Sequence, residues 1–444
     1  MNFDRLTALL LDQAIRGELV PQLDGEPAVE QIGEALTDVP FAIPGKWKWV
    51  HLQDVVEINP KVKVNNDSDM VSFVPMAAVS AGYVSQVVLD EEKTWGSVKN
   101  GYTKFSNGDI LLAKITPCFQ NRKSAIAYDL KNDVGCGSSE FHVLRALEQT
   151  DSEYLLAFFK TQWFIDYGVE NFKGTAGQQR LGTKDLKVCL LPLPPLEEQR
   201  RIVRKLNELL GEVSRARMAH EELCKCGESF RKRVLQEAMR GTLVPQLDAE
   251  PAVEQLGDAP VGVPFEIPEK WKWVRLQDVS EINPRVKPND ENAVVSFIPM
   301  ASVSAGYDGK ITVGDERVWS SVKNGYTKFS NGDVILAKIT PCFQNRKSAV
   351  ASDLKNGIGC GSSEFHVIRA SAGVDPEYVL MFLKSEWFIR YGMDNFKGTA
   401  GQQRLGTKEL KACPFPLPPL PEQRRIIAKS KKLFGEVNRL LGQY

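Results

Sequence analysis

The sequence lacks the segments that mark secreted, membrane-bound and zinc-binding proteins. No apolar run approaches the roughly 18 residues of a membrane-spanning helix, and the start, Met1-Asn2-Phe3-Asp4-Arg5, has neither the basic nor the apolar region of a signal peptide. None of the eight cysteines belongs to a C-x-x-C motif, which argues against zinc and fits reduced thiols. We therefore expect a cytoplasmic protein that binds no metal and contacts no membrane.

Motifs of nucleotide-binding and hydrolytic enzymes are also lacking. The sequence has no Walker A loop, no G-x-G-x-x-G and no Asn-Pro-Pro-aromatic motif of adenine methyltransferases. The stretch Gly137-Ser138-Ser139-Glu140-Phe141-His142 has no flanking nucleophile elbow. Its polar and apolar residues alternate, which predicts a strand with one solvent-exposed face. We predict a non-catalytic chain, and a hydrolase that uses Ser139 and His142 stays open as an alternative.

An excess of charge of one sign is lacking as well. The chain has 56 Lys and Arg and 56 Asp and Glu residues, so its formal net charge is +0. This balance argues mildly against nucleic-acid binding, unless basic residues gather on one face.

One stretch that lacks proline, 196–240, predicts a long helix. Its apolar residues follow a heptad-like spacing that buries one face against a partner helix. The residues of this seam are Ile202, Leu206, Leu209, Val213, Ala216, Leu223, Phe230 and Val234. Prolines precede the stretch, Gly241 and Pro245 follow it, and about 45 residues give roughly 65 Å of helix.

The chain consists of two copies of one unit. Trp47 matches Trp271 and Arg200 matches Arg424, always at an offset of 224 residues and without a gap. On this register the C-terminal segment repeats the first half of the central helix, and the N-terminal segment repeats its second half. We expect the two terminal segments to form a second helical rod, antiparallel to the central helix, that holds two globular domains apart.

Strands with one main helix and long polar loops predict an α+β fold for each globular domain. The register predicts two near-identical domains, separated by a pair of long antiparallel, coiled-coil-like helices with pseudo-two-fold repetition. The predicted segments are an N-terminal helix (1–24), a linker (25–46), a globular domain (47–195), the central helix (196–240), a linker (241–270), a second globular domain (271–419) and a C-terminal helix (420–444). Within the first domain we predict strands at 49–56, 71–76, 109–115, 124–127 and 141–144, and one helix at 152–167.

Two polar stretches of each domain carry residue types that bind DNA. In 108–123, a strand leads to Lys114 and a loop of donors suited to phosphates and base edges. In 171–184, glycines allow close approach to a phosphate, and Gln and Arg are the usual partners of adenine and guanine. The candidates for DNA contact are Lys114, Thr116, Gln120, Asn121, Arg122, Lys123, Lys173, Gly174, Thr175, Gln178, Gln179, Arg180 and Lys184. Their repeats are Lys338, Thr340, Gln344, Asn345, Arg346, Lys347, Lys397, Gly398, Thr399, Gln402, Gln403, Arg404 and Lys408. Ordinary solvated loops are the alternative for each stretch.

Two motifs resemble the specificity subunit of type I restriction–modification systems. They are Phe172-Lys173-Gly174-Thr175-Ala176-Gly177-Gln178-Gln179-Arg180-Leu181 and Leu191-Pro192-Leu193-Pro194-Pro195-Leu196-Glu197-Glu198-Gln199-Arg200-Arg201-Ile202. Residues 49–60 resemble the opening of that family's target recognition domain, and the order of segments along nearly the whole chain is similar.

The resemblance implies a function and a set of partners. Each target recognition domain would recognise one half of a bipartite site in double-stranded DNA, and the helices would set the gap between the halves. Two modification subunits, which bind S-adenosylmethionine and methylate adenine, would dock on the proline-rich exit and the helices. Two restriction subunits, which use ATP and magnesium, would join that core. The chain itself would bind no cofactor and catalyse nothing.

The near-identity of the two domains departs from the usual pattern of that family, in which they commonly differ. Between Gly101 and Ala127 only three positions differ from the second copy, all aliphatic for aliphatic, and 171–184 is identical to 395–408. We therefore predict that both domains recognise the same half-site and that the target is an interrupted palindrome.

An interaction scaffold that does not bind DNA is the alternative to this function, and it would show no salt-dependent DNA affinity.

Overall fold

The computed structural model describes residues 2–30, 32, 36, 38–175, 177–312, 315–399 and 402–442. The chain forms two compact units, 1–219 and 220–444. Met1 and residues 443–444, which the sequence assigns to the terminal helices, lie outside the described residues.

The first unit contains a terminal helix and a globular domain. Its elements are α1 (Phe3–Arg16), β1 (Lys48–His51), β2 (Val56–Ile58), β3 (Met70–Val74), β4 (Glu92–Thr94), α2 (Trp95–Val98), β5 (Thr103–Ser106), β6 (Ile110–Ala113), β7 (Ser124–Ile126), β8 (Val134–Gly137), β9 (Phe141–Ala146), α3 (Ser152–Phe159), α4 (Gln162–Glu170), β10 (Phe172–Lys173), β11 (Arg180–Leu181), α5 (Thr183–Lys187) and β12 (Leu190–Leu193). Short 3₁₀ turns lie at Leu52–Asp54, Met76–Ala78 and Lys131–Asp133.

The long helix α6 (Leu196–Arg240) belongs to both units, and the second unit repeats the order of the first. Its elements are β13 (Lys272–Arg275), β14 (Ser280–Ile282), β15 (Val294–Ile298), β16 (Asp315–Val318), α7 (Trp319–Val322), β17 (Thr327–Ser330), β18 (Val334–Ala337), β19 (Ser348–Val350), β20 (Ile358–Gly361), β21 (Phe365–Ala370), α8 (Pro376–Lys384), α9 (Glu386–Asp394), β22 (Phe396–Lys397), β23 (Arg404–Leu405), α10 (Thr407–Ala412), β24 (Pro414–Leu417) and α11 (Leu420–Leu440).

Each globular domain contains two four-stranded sheets. In the first unit the strand orders are β2-β9-β6-β7 and β4-β3-β8-β5, and the second unit repeats them as β14-β21-β18-β19 and β16-β15-β20-β17. Neighbouring strands are antiparallel except β3 with β8 and β15 with β20. Two further strand pairs form separately from these sheets. β1 pairs with β12, which brings the ends of the domain sequence together, and β10 pairs with β11. The mixed sheets and segregated helices confirm the predicted α+β class and the internal repeat.

The core of each domain is layered because its central strands are buried on both faces. Along β6, Ile110 and Leu112 pack with the helices α3 and α4, while Leu111 packs between the two sheets. This alternation follows from the two-residue period of a strand. It explains why the strand sequence is continuously apolar rather than alternating.

The single helix predicted at 152–167 is two helices. Helix α3 ends at Phe159, and α4 begins at Gln162 after Thr161, whose side chain accepts a hydrogen bond from the Phe164 N–H. The prediction was wrong here because an apolar face that continues past a cap conceals the break. Strands β4, β5 and β8 were also not predicted, since they are short and partly polar.

The terminal helices pack antiparallel on α6, as expected. In the first unit Asp4 pairs with Arg217 at 2.5 Å, whereas Gln22, beyond the end of α1, bonds to Glu198 at 3.3 Å. In the second unit Asn438 bonds to Arg231, and Gln246 bonds to Glu422. None of the described helices is both long and apolar enough to cross a membrane.

Described residues of the segment 25–46 pack against their own unit. The Lys46 ammonium donates to the carbonyl oxygens of Leu23, Asp24 and Glu26, and Phe41 contacts Trp49 with ring centroids 4.9 Å apart. The second unit repeats the ammonium contacts at Lys270. The described part of this segment is therefore attached to the domain surface.

Candidate nucleic-acid interface

The two polar stretches singled out in the sequence lie side by side. The Thr116 N–H donates to the Gln179 carbonyl at 3.0 Å, and the Leu181 N–H donates to the Lys114 carbonyl at 3.0 Å. In the second unit the matching bonds, from Thr340 and from Leu405, measure 3.1 and 2.9 Å. The end of β6 and strand β11 thus form one continuous surface.

Arg180 is bound within this surface. Its guanidinium donates two hydrogen bonds to the Glu140 carboxylate, at 2.9 and 2.8 Å, and a third to the Gln178 carbonyl at 2.8 Å. These hydrogen bonds hold the pKa of Glu140 below its usual range. Arg404 and Glu364 repeat the pair. The arginine therefore anchors the loop, and base contact would require this pair to open.

The rest of the second stretch leaves several polar side chains exposed. Gly174 has a φ of 121°, a conformation that favours glycine, and a Cβ there would lie 3.1 Å from the Gln178 carbonyl oxygen. Lys173 pairs with Asp185 at 2.9 Å. Exposed side chains at the loop and on α5 are Thr175, Gln178 and Lys184, repeated by Thr399, Gln402 and Lys408. Gln179 and Gln403 are half-buried.

Two cations of the first stretch are likewise engaged by the protein. Arg122 donates to the Lys160 carbonyl at 3.0 Å and lies over the Tyr83 ring at 5.0 Å. Lys123 donates to the Met76 carbonyl at 2.9 Å. Arg346 and Lys347 repeat these contacts with Lys384 and Met300. These cations fix the loop rather than present free charge.

The tip of the first stretch faces the helices. Gln120 and Asn121 are exposed and line a groove with Asp4 of α1 and Arg217 of α6. In the second unit Gln344 and Asn345 line the corresponding groove with Arg231. The stretch therefore divides, with Lys114 and Thr116 beside β11 and the tip beside the helix pair.

A basic cleft adjoins Lys338 in the second unit. Its lining includes Arg285, Lys287, Lys323, Lys328 and Lys338 and contains no acidic residue. Arg285 and Lys287 are exposed, and Lys323 also pairs with Glu291 at 3.0 Å. Such a concentration of positive charge attracts a phosphate backbone even when the net charge of the chain is zero.

The cleft residues recur in the first unit at Lys61, Lys63, Lys99, Lys104 and Lys114. Only Lys114 and Lys338 of this set were among the sequence candidates. The missed signal is the Lys61-x-Lys63 pattern, which returns as Arg285-x-Lys287 and keeps its charge although the following residues differ. Along the sequence, Arg285 and Lys338 are about 50 positions apart, and only the fold brings them to one cleft.

The expectation that His142 lies on a solvent-exposed strand face is wrong. His142 is 3% exposed, and its Nε2 lies 2.9 Å from the Leu181 carbonyl oxygen. Burial lowers the pKa of the imidazole, so it is neutral near pH 7 and its Nε2–H donates to that carbonyl. His366 behaves in the same way beside Leu405. Ser139 is exposed, so the stretch does not present the paired nucleophile and base of a hydrolase.

The chain is similar to proteins of one family along most of its length. The family described as the type I restriction modification DNA specificity domain matches residues 44–217 and 268–440. The type I restriction enzyme EcoAI specificity subunit of Escherichia coli is 29% identical, over 98% of this chain and 90% of that protein. The EcoEI specificity subunit of the same species is 36% identical over 46% of this chain and 39% of that protein.

Two solved structures share the fold. A chain from a structure on the assembly and conformational transition of the type I R-M system superposes with a TM-score of 0.68 at 23% identity, covering 90% of this chain and 93% of that one. The HsdS subunit from Thermoanaerobacter tengcongensis gives a TM-score of 0.56 at 22% identity, covering 91% and 94%.

Proposed function

Because this chain belongs to the type I restriction–modification DNA specificity family, we propose that it recognises a bipartite site in double-stranded DNA and directs partner subunits to it. The observation that carries the proposal is the acid-free basic cleft beside two joined polar loops. A cleft of this charge suits the DNA backbone, and polar side chains beside it suit base edges. The basic residues of the cleft recur in both domains, with Lys61 in the first where the second has Arg285.

We assign different roles to the charged residues around the cleft. Lys104, Lys114 and their repeats Lys328 and Lys338 would contact phosphates. Exposed Gln178 and Lys184, with Gln402 and Lys408, would reach base edges. Arg122 and Arg180 would hold the loops, since their guanidinium groups already bond to protein atoms.

The half-sites would be the same for both domains. Support comes from the identity of 171–184 with 395–408, which includes the exposed side chains of Thr175, Gln178 and Lys184. The target is then an interrupted palindrome, because two-fold repetition in a protein matches two-fold repetition in its site.

The partners would be two modification subunits and two restriction subunits. The similar Escherichia coli proteins are named as specificity subunits of type I restriction enzymes, which supports such an assembly. S-adenosylmethionine for adenine methylation would be bound by the modification subunits, and ATP and magnesium by the restriction subunits.

The test is a DNA-binding titration of the full-length chain at several salt concentrations. Replacing Lys104, Lys114, Lys328 and Lys338 by glutamine should weaken binding to all sequences and reduce the salt slope by about 0.9 for each lost phosphate contact. Replacing Lys131 and Lys355 by glutamine is the control, because Lys355 is exposed but does not line the cleft, and Lys131 is its exposed repeat in the first unit. An unchanged slope in the cleft variant would refute the role of the cleft. A wild-type chain without salt-dependent affinity would favour the scaffold alternative.

A further inference from the structure

Buried polar side chains join the start of each long helix to its globular domain. Glu198 and Gln199, in the first turn of α6, are both 0% exposed. Glu422 and Gln423, in the first turn of α11, are equally buried. Burying polar groups costs free energy unless they are hydrogen-bonded. Apolar residues could fill this junction without that cost, so packing alone does not require polar side chains here. These residues belong to the proline-rich exit that the resemblance assigned to partner docking, but they point into the chain's own interior.

The Gln199 amide connects three parts of the first unit. Its Oε1 accepts from the Asp151 N–H at 2.8 Å, and its Nε2 donates to the carbonyls of Gln149 at 3.0 Å and Pro194 at 2.9 Å. Asp151 in turn caps α3. One side chain therefore fixes α6 to the strand exit before it and to the first turn of α3.

Gln423 makes the same three bonds in the second unit. Its partners are the Asp375 N–H at 2.8 Å, the Gly373 carbonyl at 3.1 Å and the Pro418 carbonyl at 2.9 Å. Repetition of the geometry in both units shows that the arrangement does not depend on one local sequence, since Gln149 is replaced by Gly373.

The partner helix is held at the same end of the pair. Arg201 forks onto Glu26 at 2.9 and 2.7 Å and donates to the Pro21 carbonyl at 2.9 Å, both in the segment that follows α1. Gly17, which ends α1 with a φ of 74°, lies so close to Pro44 that a Cβ would stand 2.3 Å from its Cγ. Arg425 and Gly241 repeat these contacts. Both helices of each pair are thus tied to their domain.

We propose that Gln199 and Gln423 are positioning residues that set the gap between the two half-sites. Hydrogen bonds are directional, so these amides fix the angle between a domain and its helix pair, whereas apolar contacts alone would allow it to vary. DNA resists changes in twist and length, so a site with a different gap must be matched by movement of the protein. Rigid joints therefore restrict binding to one gap length. This inference rests on the proposed function.

The experiment measures binding of the full-length chain to duplexes with different gaps. The half-sites are those that methylation sequencing identifies, and the gap is native, one base pair shorter or one longer. The wild-type chain should prefer the native gap by about tenfold, the scale of one lost base contact. Gln199→Met with Gln423→Met keeps the side-chain length and removes all six hydrogen bonds of the two amides. This variant should lower the preference to about twofold, with unchanged affinity for a duplex that carries one half-site.

The controls separate a loose joint from a damaged protein. Arg200→Gln with Arg424→Gln changes exposed residues of the same helical turns and should keep the wild-type preference. If the methionine variant does not fold, Tyr154→Phe with Tyr378→Phe removes the tyrosine bonds to the Pro192 and Pro416 carbonyls and should cause a smaller loss of preference. An unchanged gap preference in a folded joint variant would overturn the proposal, as would a wild-type chain that accepts all gaps equally. A wild-type chain that does not distinguish half-sites from scrambled DNA would instead overturn the proposed function itself.

Discussion

At the scale of single residues, the charge on a side chain does not reveal what it binds. Arg122, Lys123 and Arg180 have the chemistry of DNA contacts, yet each donates to a protein acceptor. The partner of Arg180, Glu140, lies 40 residues earlier in the chain, so only the fold brings them together. Residue types could be predicted from the sequence, but the separation of anchoring cations from exposed ones could not.

The Arg180–Glu140 pair predicts a pH dependence of stability. The pKa of Glu140 is lower in the folded chain than in the unfolded one, so the pair stabilises the fold at neutral pH. This contribution is lost as the pH falls through the depressed pKa. Glu140→Gln with Glu364→Gln should therefore lower the melting temperature at pH 7, and the difference from wild type should shrink in acid. An equal difference at every pH would show that the carboxylate charge does not matter.

Substitution of Gln178 and Gln402 is a test of base recognition, because the side chains of both residues are exposed at the loop. Replacing both by alanine should cost about 1–3 kcal/mol per contact at one base pair of each half-site and relax the choice of base there. Binding to a panel of single-base variants of the site measures this. Equal weakening at all sequences would show that these amides bind the backbone.

At the scale of elements, the long central helix could be predicted because its apolar seam and its flanking prolines and glycine agree. Short strands such as β4 could not, since their polar residues carry no period. The break between α3 and α4 was hidden for a different reason: the apolar face continues through a cap at Thr161. Elements whose boundaries depend on tertiary contacts are those that the sequence leaves undetermined.

The two helix pairs differ at one repeated contact, which gives a prediction about their packing. In the first unit Phe3 lies beneath the Arg217 guanidinium, 5.6 Å away. In the second unit the matching positions are Gly227 and Leu441, and a Cβ on Gly227 would lie 3.1 Å from the leucine Cδ1. Gly227→Phe should destabilise by about 1–3 kcal/mol through overpacking. Adding Leu441→Arg should recover most of that loss, because it recreates the pair of the first unit.

Denaturant unfolding of the single and double variants measures this coupling. Gly211→Ala is the control for removing a helix glycine, since only the Arg215 guanidinium lies near a Cβ placed there. It should stabilise by up to about 1 kcal/mol. Strictly additive effects of the Gly227 and Leu441 changes would mean that the two sites do not form a matched contact.

At the scale of the whole molecule, duplication was the most informative property of the sequence. The constant offset of 224 residues predicts two domains with the same order of elements, and the repeated strand orders confirm this. It could not predict the basic cleft, which gathers residues from five separate segments of a domain. Repeats can be found from the sequence alone, whereas a cluster of charged residues from distant segments can be found only from the folded structure.

The proposed role of the helices predicts a change in the recognised gap. Deleting one heptad from α6 and a matched heptad from the terminal helices should shorten the helices by roughly 10 Å, or about three base pairs of DNA. The gap should shorten accordingly, or binding should be lost. A folded deletion variant that recognises the original site would show that the helices do not set the gap.

We propose that the two near-identical domains recognise the same half-site. Single-molecule sequencing of adenine methylation in the host measures this, because the methylated sites report both half-sites and the gap at once. We predict one interrupted palindrome whose two halves are the same sequence on opposite strands. Methylation at sites with two unrelated half-sites would show that the two domains recognise different sequences.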